Sequence, residues 1–293
     1  MKRIILGSCL LMALAGCDDK LETFEVTGSD KAPVAIEASS VQGEALPGQI
    51  KLTWTPNEGY EYVKISYHDP LQDKDVCQIC SNTTGELLID NTRARYGDYT
   101  FNFQTFNARH EGGQTVQVKA RSGAAPATYT EKGRTKVELD VSQISADQAD
   151  SSEGQLKHLV DGSTGTFFSS NWHGSGTTYP SYIQVDFAEE HENFAIGYVN
   201  RTDDGWRTSG RPASVELQVS ANGTDWQSVS TLSSLPSSAG SEYTTNYIMP
   251  GFGFKHLRYV VTSATGSASY YCFAEFYFYD VTVEVYDPET MEE

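Results

Sequence analysis

One segment of the chain carries oxygen-bearing side chains at a spacing that suits metal binding. Residues 161–166 read Asp-Gly-Ser-Thr-Gly-Thr, which places one carboxylate, two glycines and several hydroxyls in a single short loop. Hard cations such as Ca²⁺ take oxygen ligands of these types. Aromatic residues between Phe167 and Trp172 follow at once. We therefore expect a rigid, oxygen-lined loop that holds a hard cation, with a ligand-binding surface beside it.

The same loop has a purely structural interpretation. An aspartate in a tight loop often initiates a turn by accepting hydrogen bonds from nearby backbone amides. In that interpretation Asp161 shapes the loop and binds no ion. The residues of the loop by themselves leave both interpretations open.

The elements that must position this loop are β-strands. Apolar and polar side chains alternate over four segments of the second half of the chain, and no helical period competes with them. The segments are residues 182–187, 215–219, 257–261 and 273–285. In the first of them Ile183, Val185 and Phe187 point one way, and Trp226 is interpreted as a core residue. This half of the chain is predicted to be all-β.

The first half of the chain has shorter strands with the same period of two. Residues 50–55, 62–67 and 99–106 alternate, with turn residues between them, which predicts a β-sandwich. Trp54 and the Tyr99-x-Phe-x-Phe strand before residues 111–113 resemble a fibronectin type III domain. A generic immunoglobulin-like spacer is the alternative. Either domain would lift its neighbour off a membrane.

The chain is predicted to divide into five segments, with the domain boundary just before or within the polar residues 143–155. The segments are a signal peptide at 1–16, a flexible acidic tether at 17–32, the fibronectin III or Ig-like sandwich at 33–138, a second β-sandwich at 139–287 and an acidic tail at 288–293.

Several separated pieces of the second domain resemble the F5/8 type C, or discoidin, domain. The pieces are residues 161–166, 182–187, 198–201, 219–226, 258–260 and 274–276. The resemblance implies a galactose-binding-like jelly roll. Among bacterial proteins this domain is mostly a carbohydrate-binding module of the family 32 type. The resemblance therefore implies a protein that binds a glycan.

The resemblance also implies a structural calcium ion where the first loop meets the last strand. Asp161 and Glu275 match the two carboxylate positions, and Thr166 matches the hydroxyl position. Ser163 stands where many relatives have Asp or Asn, so one carboxylate is absent, and backbone carbonyls near it would complete the shell. Because Glu275 matches independently of the loop, calcium is favoured over a simple turn. The ion would pin the loop and take no part in catalysis.

Sugar recognition needs an aromatic plate for the apolar face of a pyranose and planar polar groups for its hydroxyls. The resemblance places Trp172 and Tyr270 at aromatic positions and Arg201 at a polar contact. His173 and Trp206 lie in or near the same loops. These five residues are the predicted ligand-binding set.

The pattern of contact residues departs from galactose-binding relatives at two positions. Ser169 stands where a histidine is often found, and Ser209 stands where an asparagine or similar residue is found. His173 is the candidate to replace the missing histidine. The identity of the glycan is therefore left open.

Each candidate contact also has a structural alternative. Trp172 would pack in the core, and Arg201 would pair with Asp203 or its neighbour as an ordinary loop salt bridge of little energetic value. Of Phe167 and Phe168, at least one is expected to be buried.

The N-terminal segment is interpreted as a targeting signal rather than as a folded element. Lys2 and Arg3 precede an apolar run that is too short for a stable membrane span and ends in Leu-Ala-Gly-Cys17. This resembles the lipobox of a bacterial lipoprotein, which implies cleavage before Cys17 and lipidation of its thiol. The alternative is an ordinary secretory signal with an incidental cysteine. We expect a lipid-anchored protein of the cell envelope, with the outer membrane and the cell surface favoured.

The charge and the cysteines of the chain restrict its partners. A formal charge of −18 argues against nucleic acid and against polyanionic glycans held by charge, and it leaves neutral sugars open. Cys77 and Cys80 form a single Cys-x-x-Cys motif, which is weak evidence for zinc. They are predicted to form a local disulfide or to stay as two thiols. Cys272 is expected to be buried and inert.

The function expected from these observations is non-catalytic glycan binding at the cell surface. The protein would serve a polysaccharide uptake or degradation system and work with the partner proteins of that system. The main alternative is an adhesin or assembly protein that binds a protein partner through the same loops.

A third and less favoured hypothesis is a glycoside-hydrolase-associated protein. Glycoside hydrolysis requires two carboxylates that flank a cleft, whereas the acidic residues of this chain are scattered over strands and turns. Neither a nucleophile elbow nor a His-Glu-x-x-His motif occurs in the sequence. We expect no catalytic residue and no enzyme activity.

Overall fold

The computed structural model describes residues 30–203 and 209–291. Over these ranges the regular structure consists of β-strands and short 3₁₀ helices, with no α-helix. None of the described helices is long and apolar enough to cross a membrane. The predicted all-β class is confirmed. The 3₁₀ helices are Ala38–Ser40, Ala94–Tyr96, Val141–Gln143, Leu156–Leu159 and Thr265–Ser267.

The described residues divide into two compact units, residues 30–127 with 287–291 and residues 128–286. The first unit has seven strands in two antiparallel sheets, with orders β1-β2-β5 and β4-β3-β6-β7. The strands are β1 (Gln42–Leu46), β2 (Gln49–Thr53), β3 (Tyr62–Asp69), β4 (Lys74–Ser81), β5 (Glu86–Ile89), β6 (Asp98–Phe106) and β7 (Gly112–Arg121).

The core of the first unit follows the predicted alternation. Tyr99, Phe101 and Phe103 of β6 are buried, and the Trp54 ring meets the Phe103 ring edge-on at 5.6 Å. The Tyr99 hydroxyl accepts a hydrogen bond from the Arg93 amide and donates one to the Arg93 carbonyl. Immunoglobulin-like sandwiches fasten the start of such a strand in this way. The arrangement supports the fibronectin III or Ig-like assignment, which stays a prediction.

The two cysteines of β4 are three residues apart in one strand. Side chains at this spacing point to opposite faces of a sheet. Cys77 is exposed, Cys80 is buried, and both are free thiols, as is buried Cys272. The open question about this pair is therefore answered in favour of two thiols.

The C-terminal segment belongs to the first unit. The Glu289 carboxylate accepts hydrogen bonds from the backbone amides of Ala94, Arg95 and Ala125, at 3.1, 2.8 and 2.6 Å. Burial opposes ionisation of this carboxyl, but the three amides outweigh it and lower the pKa of Glu289. Residues 288–291, predicted to be part of an acidic tail, are thus a packed part of the sandwich.

Over its described residues, 128–203 and 209–286, the second unit has eleven strands in three antiparallel sheets. The orders are β14-β13-β16-β11-β9, β15-β12-β18-β8 and the short pair β10-β17. The strands are β8 (Thr128–Val137), β9 (Ile144–Ala146), β10 (Phe168–Ser169), β11 (Ser181–His191), β12 (Phe194–Val199), β13 (Pro212–Ser220), β14 (Gln227–Leu232), β15 (Glu242–Thr244), β16 (Phe254–Ala264), β17 (Cys272–Phe273) and β18 (Glu275–Tyr286).

The two larger sheets enclose one apolar core. Its residues include the predicted inward-facing sets of β11, β13 and β16, all of which are buried. The prediction that Trp226 is a core residue was wrong. Trp226 lies just before β14 and is half-buried. The Arg258 guanidinium lies over its ring, 3.9 Å from the centroid, and 4.1 Å from the centroid of the Tyr182 ring.

The domain boundary differs from the predicted division at residues 138 and 139. Strand β8 pairs with β18 along its whole length, from Val137 opposite Phe278 to Thr128 opposite Tyr286. It therefore belongs to the second unit and not to the first. Alternation shows which face of a strand is apolar, but it does not show which strand lies beside it.

Replacing Glu289 by alanine should weaken the first unit. The three amides would lose a charged acceptor, so we expect a loss of about 1–3 kcal/mol of unfolding free energy and faster hydrogen exchange at the amides of Arg95 and Ala125. Urea denaturation and exchange mass spectrometry measure both. Glu44→Ala, which changes an exposed residue of β1, is the control and should alter neither. Unchanged exchange at Ala125 would contradict this role of the C-terminal segment.

Candidate functional site

A pocket of about 350 Å³ lies on the loops of the second unit and brings together three of the predicted ligand-binding residues. They are Trp172, Arg201 and Tyr270, joined by Glu153 and Ser169. Four separate segments of the chain supply these side chains. We call this the first pocket.

The base of the first pocket is the short pairing of β10 with β17. Phe168 lies opposite Phe273, and Ser169 lies opposite Cys272. Both phenylalanines are fully buried in the core. The Ser170 hydroxyl accepts a hydrogen bond from the Tyr271 amide at 2.8 Å, which continues the pairing beyond β10. The loops that carry Trp172 and Tyr270 therefore start from one fixed point.

Trp172 presents its ring to solvent. Its exposed fraction is 44%, so the alternative of core packing is excluded. The His173 ring stacks against the indole, with ring centroids 3.8 Å apart. His173 Nε2 lies 2.9 Å from the Ser152 hydroxyl, and His173 is not among the residues that line the pocket. The structure places it as a support for Trp172 and for the neighbouring loop.

Arg201 is held in place from two sides. Its guanidinium lies over the Phe167 ring, 3.4 Å from the ring centroid, and pairs with both carboxylate oxygens of Asp203. Burial would lower the pKa of Arg201, but the hydrogen bonds that it donates to Asp203 outweigh this effect and the pKa is raised. The loop salt bridge considered as an alternative is thus present, and Arg201 still lines the pocket.

Two residues that the sequence did not single out shape the wall of the pocket. The buried Arg211 donates to the Arg201 carbonyl at 2.9 Å and to the Cys272 sulfur at 3.2 Å. It joins the loop after β12 to β17. Gly210 has a φ of +71°, and a Cβ added there would lie 2.3 Å from the Tyr270 ring. Only glycine lets Tyr270 lie against this backbone.

Glu153 is the lining residue that sequence reasoning missed. Its loop is anchored by buried Asp150, whose carboxylate accepts hydrogen bonds from the amides of Ser152 and Glu153 and from the Ser152 hydroxyl. Burial opposes ionisation, but these bonds lower the pKa of Asp150 to about 2. An aspartate two residues before a serine is a usual signal of such a turn. That signal predicts the turn but not its position beside Trp172.

The two positions that depart from the family pattern differ in their relation to the pocket. Ser169 lines the pocket, but its hydroxyl already donates to the Ser170 carbonyl at 2.9 Å. Ser209 does not line the pocket. Trp206 lies outside the described residues, as does the lipidation candidate Cys17. A small polar molecule with one apolar face would find the exposed indole and the groups of Glu153, Arg201 and Tyr270 in one place.

The predicted metal-binding residues also meet in space. Asp161 and Glu275 both accept a hydrogen bond from the Ser163 amide, at 2.9 and 2.8 Å. The Thr166 hydroxyl lies 2.8 Å from an Asp161 oxygen and 2.8 Å from the Ser163 carbonyl. The turn interpretation is therefore correct in that Asp161 accepts backbone and hydroxyl hydrogen bonds. The second carboxylate, however, has no part in a simple turn.

The pKa values of the two carboxyl groups shift in opposite directions. Glu275 is only 1% exposed, and its burial together with the neighbouring Asp161 raises the pKa of Glu275 to about 7. Burial opposes ionisation of Asp161 as well, but hydrogen bonds from Thr166 and Ser163 lower its pKa. A cation between them would relieve the cost of ionising Glu275.

The oxygen atoms gathered at this place are chemically suited to bind a hard cation. Two carboxylates, one hydroxyl and a backbone carbonyl are oxygen ligands of the kind that Ca²⁺ takes. Across the described ranges no cluster of three or more His, Cys, Asp and Glu side chains suits a metal ion. A cation here would therefore depend on the hydroxyl, on carbonyls and on water for most of its ligands.

Comparison with known families decides the type of this unit. Residues 141–276 match the model of the F5/8 type C domain. The second unit carries an F5/8 type C domain. The resemblance inferred from the separated sequence pieces is thus confirmed for this part of the chain. No protein of curated function matches the chain significantly.

Among solved structures, the chain is similar to CpGH89CBM32-5 from Clostridium perfringens, in complex with GalNAc-β-1,3-galactose. The identity is 19% and the TM-score is 0.42, and the match covers 49% of this chain and 99% of that chain. The family 32 module of C. perfringens NanJ, in complex with galactose, matches with 16% identity, a TM-score of 0.40 and coverage of 50% and 99%. A SusE-like protein matches with 11% identity, a TM-score of 0.38 and coverage of 86% and 99%.

Proposed function

We propose that this protein is a non-catalytic glycan-binding protein and that its first pocket holds the sugar. The observation that carries the proposal is the convergence of exposed Trp172 with Arg201, Tyr270 and Glu153 around one pocket of an F5/8 type C domain. The expectation that such domains in bacteria mostly bind carbohydrate supports it.

The physical basis of binding is the two-sided character of a pyranose. Its C–H face is apolar and stacks on an aromatic ring, and its rim of hydroxyls needs planar donors and acceptors. Trp172 supplies the ring. The guanidinium of Arg201 supplies donors, and the carboxylate of Glu153 supplies acceptors. Because Arg201 is paired with Asp203, the pocket has no excess positive charge from it.

Neutral glycans are the favoured ligands. The two carboxylates of Glu153 and Asp203 exceed the single positive charge of Arg201, so the net charge at the pocket is negative. The chain as a whole has a formal charge of −18. A sugar that carries a carboxylate or sulfate would be repelled by this field. A neutral sugar would bind through stacking and hydrogen bonds alone.

We further propose that Asp161, Glu275, the Thr166 hydroxyl and the backbone at Ser163 hold a structural calcium ion. Calcium supplies positive charge and oxygen coordination that fix the loop to β18. The observation in favour is the approach of two carboxylates to one amide, with the pKa of Glu275 raised. The residues of the loop orient the domain surface and do no chemistry.

The cellular setting is proposed from the N-terminal sequence. Cys17 would carry a lipid, and the protein would face outward from the outer membrane as part of a glycan uptake or degradation system with partner proteins. Metabolic labelling with a radioactive fatty acid should label the chain and leave Cys17→Ser unlabelled. Equal labelling of both forms would contradict the anchor.

Replacing Trp172 by alanine should abolish most glycan binding without unfolding the domain. The indole is exposed, so its loss removes a stacking surface and little core packing. We expect a fall in affinity of about tenfold or more, which corresponds to about 1.4 kcal/mol. A glycan array identifies the ligand, and isothermal titration calorimetry measures the loss.

Trp226→Ala is the matched control for this substitution. Trp226 is half-buried, lies on the same unit and lines a different pocket, so glycan affinity should be unchanged. If the wild-type protein binds no glycan on the array, or if both tryptophan variants lose affinity equally, the proposed site is wrong.

Calcium should stabilise the domain at pH 8 and much less at pH 5. With the pKa of Glu275 raised from 4.5 to about 7, the folded domain holds this proton more tightly than the unfolded chain. Without the ion, stability is therefore fully present below about pH 4.5 and falls as pH rises through about 7. Calcium needs the ionised carboxylate, so it restores stability above pH 7.

Thermal unfolding at both pH values, in chelator and in calcium, measures this effect. Glu275→Gln removes the ionisation, so it should lessen the fall of stability with pH in chelator and reduce the response to calcium. Glu284→Gln, which changes an exposed residue of β18, is the control. A wild-type melting temperature that calcium does not change at pH 8 would remove the ion from the proposal.

A further inference from the structure

A second pocket of about 380 Å³ adjoins the first on the same loops. Its lining includes Gln155, Lys157, Thr166 and Phe167, together with Glu153. Glu153 also lines the first pocket. The two pockets therefore share a carboxylate, and a molecule in one would approach a molecule in the other at this residue.

A stacked pair of side chains joins the lining of one pocket to the lining of the other. Arg201 lines the first pocket, Phe167 lines the second, and the guanidinium lies 3.4 Å from the centre of the Phe167 ring. That separation is one van der Waals contact. The pockets are thus two halves of one groove, divided by a guanidinium and a ring.

The second pocket is preformed. His158 Nδ1 hydrogen-bonds the Phe167 carbonyl at 3.0 Å, which links two residues of the lining. Gly154 has a φ of +66°, and a Cβ there would lie 2.4 Å from the Ser169 amide, so the Glu153 loop sits directly on β10. Asp150 holds the same loop through its amides. A ligand would not have to order these segments, which keeps the entropic cost of binding low.

The chemistry of the second pocket differs from that of the first. It has no exposed tryptophan, and Arg201 covers one face of its phenylalanine ring, Phe167. Its exposed polar groups include the Lys157 ammonium and the Gln155 amide. These groups donate hydrogen bonds, and the Gln155 amide and Glu153 also accept them. A sugar ring here would be held by its hydroxyls rather than by stacking.

We propose that the groove binds at least two linked sugar residues, with the first stacked on Trp172 and the second hydrogen-bonded by Lys157 and Gln155. This inference rests on the proposed glycan-binding function. It adds a second sugar subsite and makes Lys157 and Gln155 determinants of chain-length preference. Glu153 contacts both sugar residues near the glycosidic linkage.

The test compares ligands of increasing length with the full mature chain. The probes are galactose, N-acetylglucosamine, glucose and mannose, each with its β-1,4-linked disaccharide and trisaccharide, measured by isothermal titration calorimetry. For the sugar that binds, we expect the disaccharide to bind at least about tenfold more tightly than the monosaccharide. The trisaccharide should add little to this.

The variant Gln155→Ala/Lys157→Ala should remove the preference for the disaccharide. Its affinity for the monosaccharide should stay within about twofold of the wild-type value. Trp172→Ala should weaken both ligands. Lys132→Ala changes an exposed lysine outside both pockets and is the matched control, which should resemble the wild type. Thermal unfolding checks that each variant is folded.

Two results would overturn the second subsite while leaving glycan binding intact. One is equal wild-type affinity for the monosaccharide and the disaccharide. The other is an equal loss of affinity for both ligands in Gln155→Ala/Lys157→Ala. If the wild type binds none of the probes at any length, and no glycan on the array, the proposed function fails and this inference fails with it.

Discussion

The pocket depends on one short piece of backbone pairing, the two residue pairs that join β10 to β17. This pairing turns Phe168 and Phe273 into the core, where both are fully buried, and leaves Ser169 at the base of the pocket. Trp172 and Tyr270 lie three residues or fewer from the paired residues, on opposite sides of that base. Rigid strands with side chains on their connecting loops are the usual arrangement of a binding site. Exposing the two phenylalanines to water would cost free energy. Their burial therefore holds the paired strands, and the loops that follow them, in fixed positions.

Charge organises the rest of the site. Asp150 is buried and ionised because three hydrogen bonds stabilise its carboxylate, and it holds the loop that presents Glu153. Glu275 is buried beside another carboxylate, and its pKa is raised to about 7. In Asp150 the accepted hydrogen bonds outweigh the cost of burying the charge, whereas in Glu275 they do not. The first can fix a loop alone, whereas the second would gain from the proposed cation.

The sequence pattern predicted the positions and faces of the strands better than it predicted which strands pair. Alternation correctly identified the inward faces of β6, β11, β13 and β16, because a strand half-buried in a sandwich must alternate. It placed β8 in the wrong unit, since a pattern of faces carries no information on pairing. Trp172, Arg201 and Tyr270 came from a family resemblance, and the structure brings them to one pocket. Glu153 was missed because its position depends on Gly154 packing against Ser169, a contact between loops that no local pattern shows.

The position of Arg201 suits the role proposed for it, because it lines the first pocket and contacts Phe167 of the second. Its charge is already matched by Asp203, so it adds little net attraction for an anion. Its plane is fixed by the Phe167 ring on one side, and its backbone carbonyl is held by Arg211. A guanidinium fixed in this way offers donors in set directions at little entropic cost. It would therefore select for geometry rather than for charge, as the proposed binding of a neutral sugar requires. The exposed Lys157 has no comparable stacking contact in the described structure, so its contribution to the proposed second subsite would depend on the second sugar reaching it.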